Sequence, residues 1–142
     1  MSWSMFVFRD HWADAHDRQQ AAFMAFSTLY AEAAPAYRET EWLRHWQSSW
    51  PETADTQANG LSDLNPEEHL TDDERVAWFR EFLRDYRLWV ASTADTIRLL
   101  TGYEPDNLVA FAMTMEAVIT GDVSHPNVRR RGSEIRAKGA TG

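Results

Sequence analysis

The chain has 142 residues, the size of a single domain that can bury its own core. It contains no cysteine, which excludes disulfides, thiolate metal sites and cysteine nucleophiles. Its formal net charge is −8, so nucleic acid, which is bound by neutralising phosphates, is not an expected partner of the body of the chain. No apolar run is long enough for a membrane span or a signal peptide, and we expect a cytoplasmic protein without membrane contact.

The charge is distributed unevenly along the chain. Residues 1–121 hold twenty acidic residues and nine arginines, a net charge of −11, whereas residues 122–142 carry a net charge of +3. This division predicts an all-helical domain at 1–121 and a basic, flexible tail at 122–142. The tail could contact nucleic acid or fold back on the acidic body.

Two helices are predicted in the first third of the chain. Apolar residues at helical spacing indicate a first helix at about 10–33, with Asp10 as its N-cap. A second helix follows at about 36–49, and Pro51 is expected to end it. No strand is predicted anywhere.

Residues 51–71 have few apolar side chains and are predicted to be the least structured part of the body. One short helical turn is expected at 65–70, because Asn65 suits a cap and Pro66 the first helical position. Residues 51–74 contain no Lys or Arg. Their eight acidic residues are Glu52, Asp55, Asp63, Glu67, Glu68, Asp72, Asp73 and Glu74.

The strongest pattern predicts a third helix at about 72–101. Thr71 to Glu74 matches a capping box, and Gly102 is expected to end the helix. Apolar residues then recur at spacings of three and four. They are Val76, Phe79, Leu83, Tyr86, Val90, Thr93, Ile97 and Leu100.

The length of this third helix sets the expected architecture. It would measure about 45 Å, whereas a compact domain of this size is roughly 38 Å across. Either the domain is elongated, or the helix is kinked, or its end packs on another chain. With a fourth helix at about 105–120, the sequence predicts an all-α, elongated bundle of about four helices around one long central helix. The heptad seam suits packing within the chain or a homodimer.

Known catalytic motifs are missing from the sequence. It has no Gly-x-Ser-x-Gly, Walker or Gly-x-Gly-x-x-Gly motif, and no Glu-x-x-His or His-Glu-x-x-His pair for a helical metal site. We therefore expect no enzyme, no catalytic residue, no metal and no cofactor. Three small groups remain as possible acid–base or metal sites: Glu41 with His45, His11 and His16 with Asp14, and Glu74 with Glu81 and Asp85. Ion pairs on a solvated helix face are the alternative for each.

One short motif resembles a known family. Pro66-Glu-Glu-His69-Leu70, followed by an amphipathic helix, is similar to the Pro-x-Asp-His-Leu region of the all-helical chaperones that mature molybdoenzymes. The resemblance implies a peptide-binding role for His69. Glu68 stands where that family has Asp and its other signatures are missing, so membership is not inferred.

Charge and aromatic content together favour a protein-binding function. Complementary charge selects partners, and Trp side chains supply affinity. We expect a non-catalytic acidic module of the inhibitor, immunity or anti-defence type that occupies a basic, nucleic-acid-binding surface of a partner such as a nuclease. The expected contacts are the eight acids of 51–74 together with Trp50 and Trp78, and Trp42 and Trp46 are the other tryptophans considered beside them. The alternative is a structural subunit or assembly chaperone that uses the heptad helix as its interface.

Overall fold

The computed structural model describes residues 3–57 and 64–132, with only the backbone described at 55–57. This part of the chain is mostly helical, as predicted, but it also contains a small sheet. The strands are β1 (Trp3–Phe8), β2 (His11–His16) and β3 (Arg129–Arg130). The helices are α1 (Asp17–Ala33), α2 (Pro35–Arg38), α3 (Glu41–Ser48), α4 (Trp50–Gln57), α5 (Pro66–His69), α6 (Asp73–Ser92), α7 (Ala94–Thr101) and α8 (Pro105–Thr120).

The sheet corrects the prediction that the chain has no strands. β1 and β2 form an antiparallel hairpin in which Phe8 is opposite His11, and only two residues make the turn. Phe6 and Phe8 are buried whereas Trp3 and Met5 are exposed, which is the alternation of a strand with one face on a core. Residues 10–16 therefore do not begin the first helix.

Helix α1 starts at Asp17 and ends, as predicted, at Ala33. Its N-cap is His16 rather than Asp10, and the His16 ring accepts a hydrogen bond from the Arg18 backbone N–H at 3.1 Å. The hairpin thus feeds directly into the helix.

The C-terminal segment completes the sheet. β3 pairs antiparallel with β2, and Arg130 is opposite His11. Val128, just before β3, is only 6% exposed. Residues 122–132 of the predicted tail are therefore attached to the domain, whereas 133–142 lie outside the described residues.

The second predicted helix is divided into α2 and α3 around Thr40. Pro51 does not end a helix; it lies in the first turn of α4, where its missing N–H removes no intrahelical hydrogen bond. Residues 51–57, predicted to be unstructured, are thus helical. The predicted turn at 65–70 is confirmed as α5.

The long third helix is broken at Thr93, which corrects the single central helix. The Thr93 hydroxyl donates to the Trp89 carbonyl at 2.7 Å, a type of back-bond that bends helices. The resulting α6 has 20 residues and a length of about 30 Å, which fits within the domain. Its N-cap is Asp72, one residue after the predicted Thr71.

The core forms where α8 packs against α6, α1 and the β1–β2 hairpin. Phe111 of α8 contacts Phe6 of β1 and Phe23 of α1. The heptad seam faces this core along α6, where Phe79, Leu83 and Tyr86 are 0% exposed, but its last predicted residue, Leu100, is 76% exposed. Packing within the chain thus buries the surface on which the structural-subunit alternative depends.

Two glycines with left-handed backbone provide a test of the contact between α8 and the hairpin. Gly121 ends α8 at φ +69°, and a Cβ added there would lie 2.9 Å from Cε1 of His11. Gly102 has φ +70° with no heavy atom within 4 Å of the added Cβ. We expect Gly102→Ala to lower the free energy of unfolding by about 1 kcal/mol, and Gly121→Ala by about 2–3 kcal/mol, measured by urea denaturation. Equal losses would show that the His11 ring moves away at no cost.

Candidate functional site

Five of the eight predicted acidic contacts meet at the junction of α5 and α6. Glu67, Glu68, Asp72, Asp73 and Glu74 are all exposed, and we call this group the acidic corner. The buried Leu70 anchors the turn between the two helices, so the backbone that carries these carboxylates is attached to the core.

The other three predicted acids are not shown to belong to this group. Glu52 is exposed on α4, in a different part of the chain. The side chain of Asp55 and the whole of Asp63 lie outside the described residues.

The acidic corner is partly neutralised from within the chain. The Arg9 backbone N–H donates to Glu67 at 2.6 Å, and the Arg9 guanidinium is 2.9 Å from Asp73. Asp72 accepts a hydrogen bond from the Arg75 backbone N–H at 2.8 Å as the cap of α6. Within 3–57 and 64–132, Glu68 and Glu74 make no side-chain hydrogen bond or ion pair. These two carboxylates are the ones available to a partner.

The two predicted tryptophan contacts have different environments. Trp50 is 1% exposed and packs on Phe23 and Trp46, so it belongs to the core and cannot contact a partner. Trp78 is half-buried on α6, with its ring centroid 4.9 Å from that of Trp42. Trp42 is also half-buried and presents a second indole beside the acidic corner.

A groove of about 750 Å³ lies between α3, α5 and the start of α6. It is lined by Glu41, Trp42, His45, Glu68, His69 and Arg75. Helical spacing places Glu41 and His45 on one side of it, while His69 enters from α5 with its ring 5.9 Å from that of His45. The structure thus brings together the sequence-predicted Glu41–His45 pair and the histidine of the short motif.

Aromatic and cationic contacts hold the walls of the groove. The His69 ring stacks on Trp46 at 5.2 Å and an interplanar angle of 11°. The Arg75 guanidinium lies 4.9 Å from the Trp42 ring centroid and donates to the His69 carbonyl at 2.9 Å. Arg75 therefore ties α6 to both α3 and α5.

Burial lowers the pKa of His69, and the nearby His45 and Arg75 lower it further, whereas Glu68 opposes them. The imidazole is therefore mostly uncharged at neutral pH, and a neutral ring can stack on Trp46 without losing the hydration of a charge. The groove accordingly combines the Trp42 ring and the neutral His69 ring with the carboxylates of Glu41 and Glu68 and the guanidinium of Arg75.

The remaining candidate sites are dispersed by the fold. His11 lies against Gly121, whereas His16 caps α1 and packs on Trp3. Glu81 pairs with Arg84, and Asp85 accepts a hydrogen bond from the Tyr37 hydroxyl. In the described part of the chain, no group of three or more His, Asp or Glu side chains is arranged to hold a metal ion.

No protein-family model, curated protein or solved structure matches the chain. Among the described residues, no helix has the length and apolar character needed to cross a membrane. Function must therefore be inferred from the geometry of this surface.

The sequence did not identify Trp42 and Arg75 as partners in a site. Trp42 was one of four tryptophans considered beside the 51–74 segment, but nothing linked it to Arg75, which directly follows that segment. Their contact joins α3 to α6, residues far apart in sequence, so no local spacing reveals it.

Proposed function

We propose that the chain is a non-catalytic, acidic protein-binding module that covers a basic, nucleic-acid-binding surface of a partner protein. Inhibitors, immunity proteins and anti-defence proteins are the functional types that fit this role. The proposal is supported above all by one observation: Glu68 of the acidic corner lines the same groove as Trp42, which packs on the half-buried Trp78. Charge and aromatic area are the two features that a binding surface of this kind requires.

The two features would contribute to binding in different ways. Exposed carboxylates steer a basic partner toward the surface and raise the association rate, an effect that salt screens. Tryptophan side chains that become desolvated on binding supply much of the affinity and slow dissociation. A surface that binds nucleic acid through Lys and Arg presents the complementary charge.

Charge reversal at Glu68 and Glu74 tests this function. Glu68→Lys with Glu74→Lys changes the net charge by +4, at side chains that make no hydrogen bond or ion pair in the described chain. We expect a basic, nucleic-acid-binding protein to copurify with the wild-type chain from its source cells and to be lost at high salt. Capture by the double variant should fall at least about tenfold, since two carboxylate contacts become repulsive.

The matched control is Asp95→Lys with Asp106→Lys. It makes the same charge change at exposed acids in the first turns of α7 and α8, just as Glu68 and Glu74 lie in the first turns of α5 and α6. Asp95 is paired with Arg98 at 3.2 Å, so the control variant also loses one exposed ion pair, which contributes little to stability. Full capture is expected with the control. If capture of the partner fell equally in both variants, or if the partner stayed bound at high salt, the acidic corner would not be the interface.

A further inference from the structure

Five half-buried aromatic side chains form a continuous line along one side of the molecule, which we call the aromatic strip. Its order is Trp42, Trp78, Tyr37, Tyr30 and Trp89. Successive ring centroids are 4.9, 5.3, 5.7 and 5.3 Å apart. The rings come from α3, α6, α2 and α1, so tertiary packing and not local sequence creates the strip.

A buried aromatic layer supports the strip from below. Phe82 is 0% exposed, and its ring lies 5.0 Å from Tyr37, 5.8 Å from Tyr30 and 6.3 Å from Trp78. Tyr86, also 0% exposed, supports Tyr30 and Trp89 at 6.2 and 6.1 Å. The partly exposed rings are therefore held in place before any ligand arrives, which reduces the entropy lost on binding.

One carboxylate beside the strip, Asp85, has no cationic partner among residues 3–57 and 64–132. Asp85 is half-buried and accepts a hydrogen bond from the Tyr37 hydroxyl, yet no basic side chain of the described chain lies within ion-pair distance of it. Burial, together with the charge of Asp85, raises the pKa of both Tyr37 and Tyr30. The phenols thus stay neutral, and Asp85 holds the negative charge at this point.

Another carboxylate against α6 shows how this fold treats such a group elsewhere. Glu116 on α8 is 24% exposed and contacts two guanidinium groups, Arg87 at 2.9 Å and Arg80 at 3.5 Å. A carboxylate partly removed from water is costly unless a cation compensates it. Glu116 has that compensation from α6, whereas the described residues provide none for Asp85.

The chain already places a guanidinium at one end of the strip, where Arg75 lies over Trp42. We propose that Asp85 and the aromatic strip form a binding site for an arginine side chain of the basic partner. This inference rests on the proposed function and names the residue that the surface recognises. Arginine fits better than lysine, because its flat guanidinium can stack on a ring while it donates two hydrogen bonds to one carboxylate.

The neighbouring charges leave room for this ligand. Glu81, one turn before Asp85, adds negative potential at Tyr37 and is paired with Arg84 at 3.1 Å. Asp85 therefore offers the free charge, while Tyr30, Tyr37 and Trp89 offer ring faces and edges around it. Cations held by aromatic rings in this way gain most when they are partly desolvated.

The test uses three synthetic peptides in which glycine alternates with arginine, lysine or citrulline, the last being a neutral analogue of arginine. Binding to the full chain is followed by NMR through the Trp89 and Trp78 indole signals. We expect the arginine peptide to bind most tightly and the citrulline peptide at least about tenfold more weakly, the scale of one charge-assisted hydrogen bond. Equal binding of the arginine and citrulline peptides would overturn the inference.

Two variants isolate the carboxylate. Asp85→Asn keeps an acceptor for the Tyr37 hydroxyl and should weaken binding of the arginine peptide about tenfold. Asp95→Asn, at a fully exposed acid, makes the same charge change and should have little effect. Circular dichroism and the dispersion of the indole NMR signals show whether each variant is folded before its binding is measured. Unchanged binding by the folded Asp85→Asn variant, or an equal loss of binding in Asp95→Asn, would reject the site.

Failure of the arginine site and failure of the proposed function would give different results. Suppose that Asp85→Asn no longer binds the arginine peptide, but that no basic protein is captured through the acidic corner. The arginine site would then be supported and the inhibitor role rejected. Capture of a basic partner that Asp85→Asn does not weaken would keep the role and reject the arginine site.

Discussion

Replacing Phe23 with alanine is expected to lower the free energy of unfolding by about 3–5 kcal/mol, the usual cost of removing a buried aromatic ring. Phe23 is 0% exposed on α1, and its ring contacts Trp50 of α4, Tyr86 of α6 and Phe111 of α8 at 5.9, 5.3 and 5.2 Å. Four helices meet at this ring. Because the neighbouring rings are attached to different backbones, they cannot all move inward to fill the space.

Guanidinium chloride denaturation followed by far-ultraviolet circular dichroism would measure this effect. Leu29→Ala is the matched control, because Leu29 is on the same helix and is 53% exposed. We expect that change to stay within about 0.5 kcal/mol of wild type. If the two variants had the same denaturation midpoint, the packing of α1, α4, α6 and α8 around Phe23 would be wrong.

The second large effect separates the two tryptophans that the sequence grouped together. Trp50→Ala should cost about 3–5 kcal/mol, because Trp50 is enclosed by Phe23 and Trp46. Trp78→Ala should cost about 1–2 kcal/mol, because only part of its indole is removed from water in the folded chain.

Partner capture should respond in the opposite way. At a temperature where both variants are folded, Trp78→Ala is expected to capture markedly less of the basic partner, whereas Trp50→Ala captures as much as wild type. Circular dichroism confirms the folded state before each capture experiment. A loss of capture with Trp50→Ala alone would place the binding surface on the α4 side, away from the aromatic strip.

Helical periodicity predicted the helices where one face meets the core. The Val76–Val90 stripe of α6 and the apolar face of α8 are buried as expected, because a spacing of three and four directly encodes the face of a helix. The break at Thr93 could not be read from the same pattern. The apolar spacing continues across it to Ile97, and the Ser92 and Thr93 hydroxyls both donate to the Trp89 carbonyl, at 2.9 and 2.7 Å.

The hairpin was missed because its local signals are atypical. Arg9, the first residue of the two-residue turn, has φ +53°, a conformation normally supplied by glycine or asparagine. Trp12 and Ala15 of β2 are spaced like residues on one face of a helix, so the segment was assigned to the first helix. What stabilises it is burial of Phe6 and Phe8 against α8, a contact with residues a hundred positions away.

The candidate site was only partly predictable for the same reason. Exposure of the acidic corner followed from composition, since a run of carboxylates is rarely buried. The environments of Trp50 and Trp78 could not be predicted from composition. Both are apolar residues on helices, and only the tertiary packing determines which one is enclosed. Asp85 was considered as a metal ligand, while its position beside Tyr37 depends on how α2 lies across α6.

The pairing of β3 with β2 has a consequence for how the protein is made. The Arg131 guanidinium donates to the Arg9 carbonyl, 122 positions earlier in the chain, so the two ends of the described structure are joined. A ribosome releases the β1–β2 hairpin early and residues 128–131 late. The hairpin must therefore wait, with one edge open, until nearly all of the helices have emerged. Contacts so distant in sequence slow folding, and the exposed edge is a place where nascent chains could associate with one another.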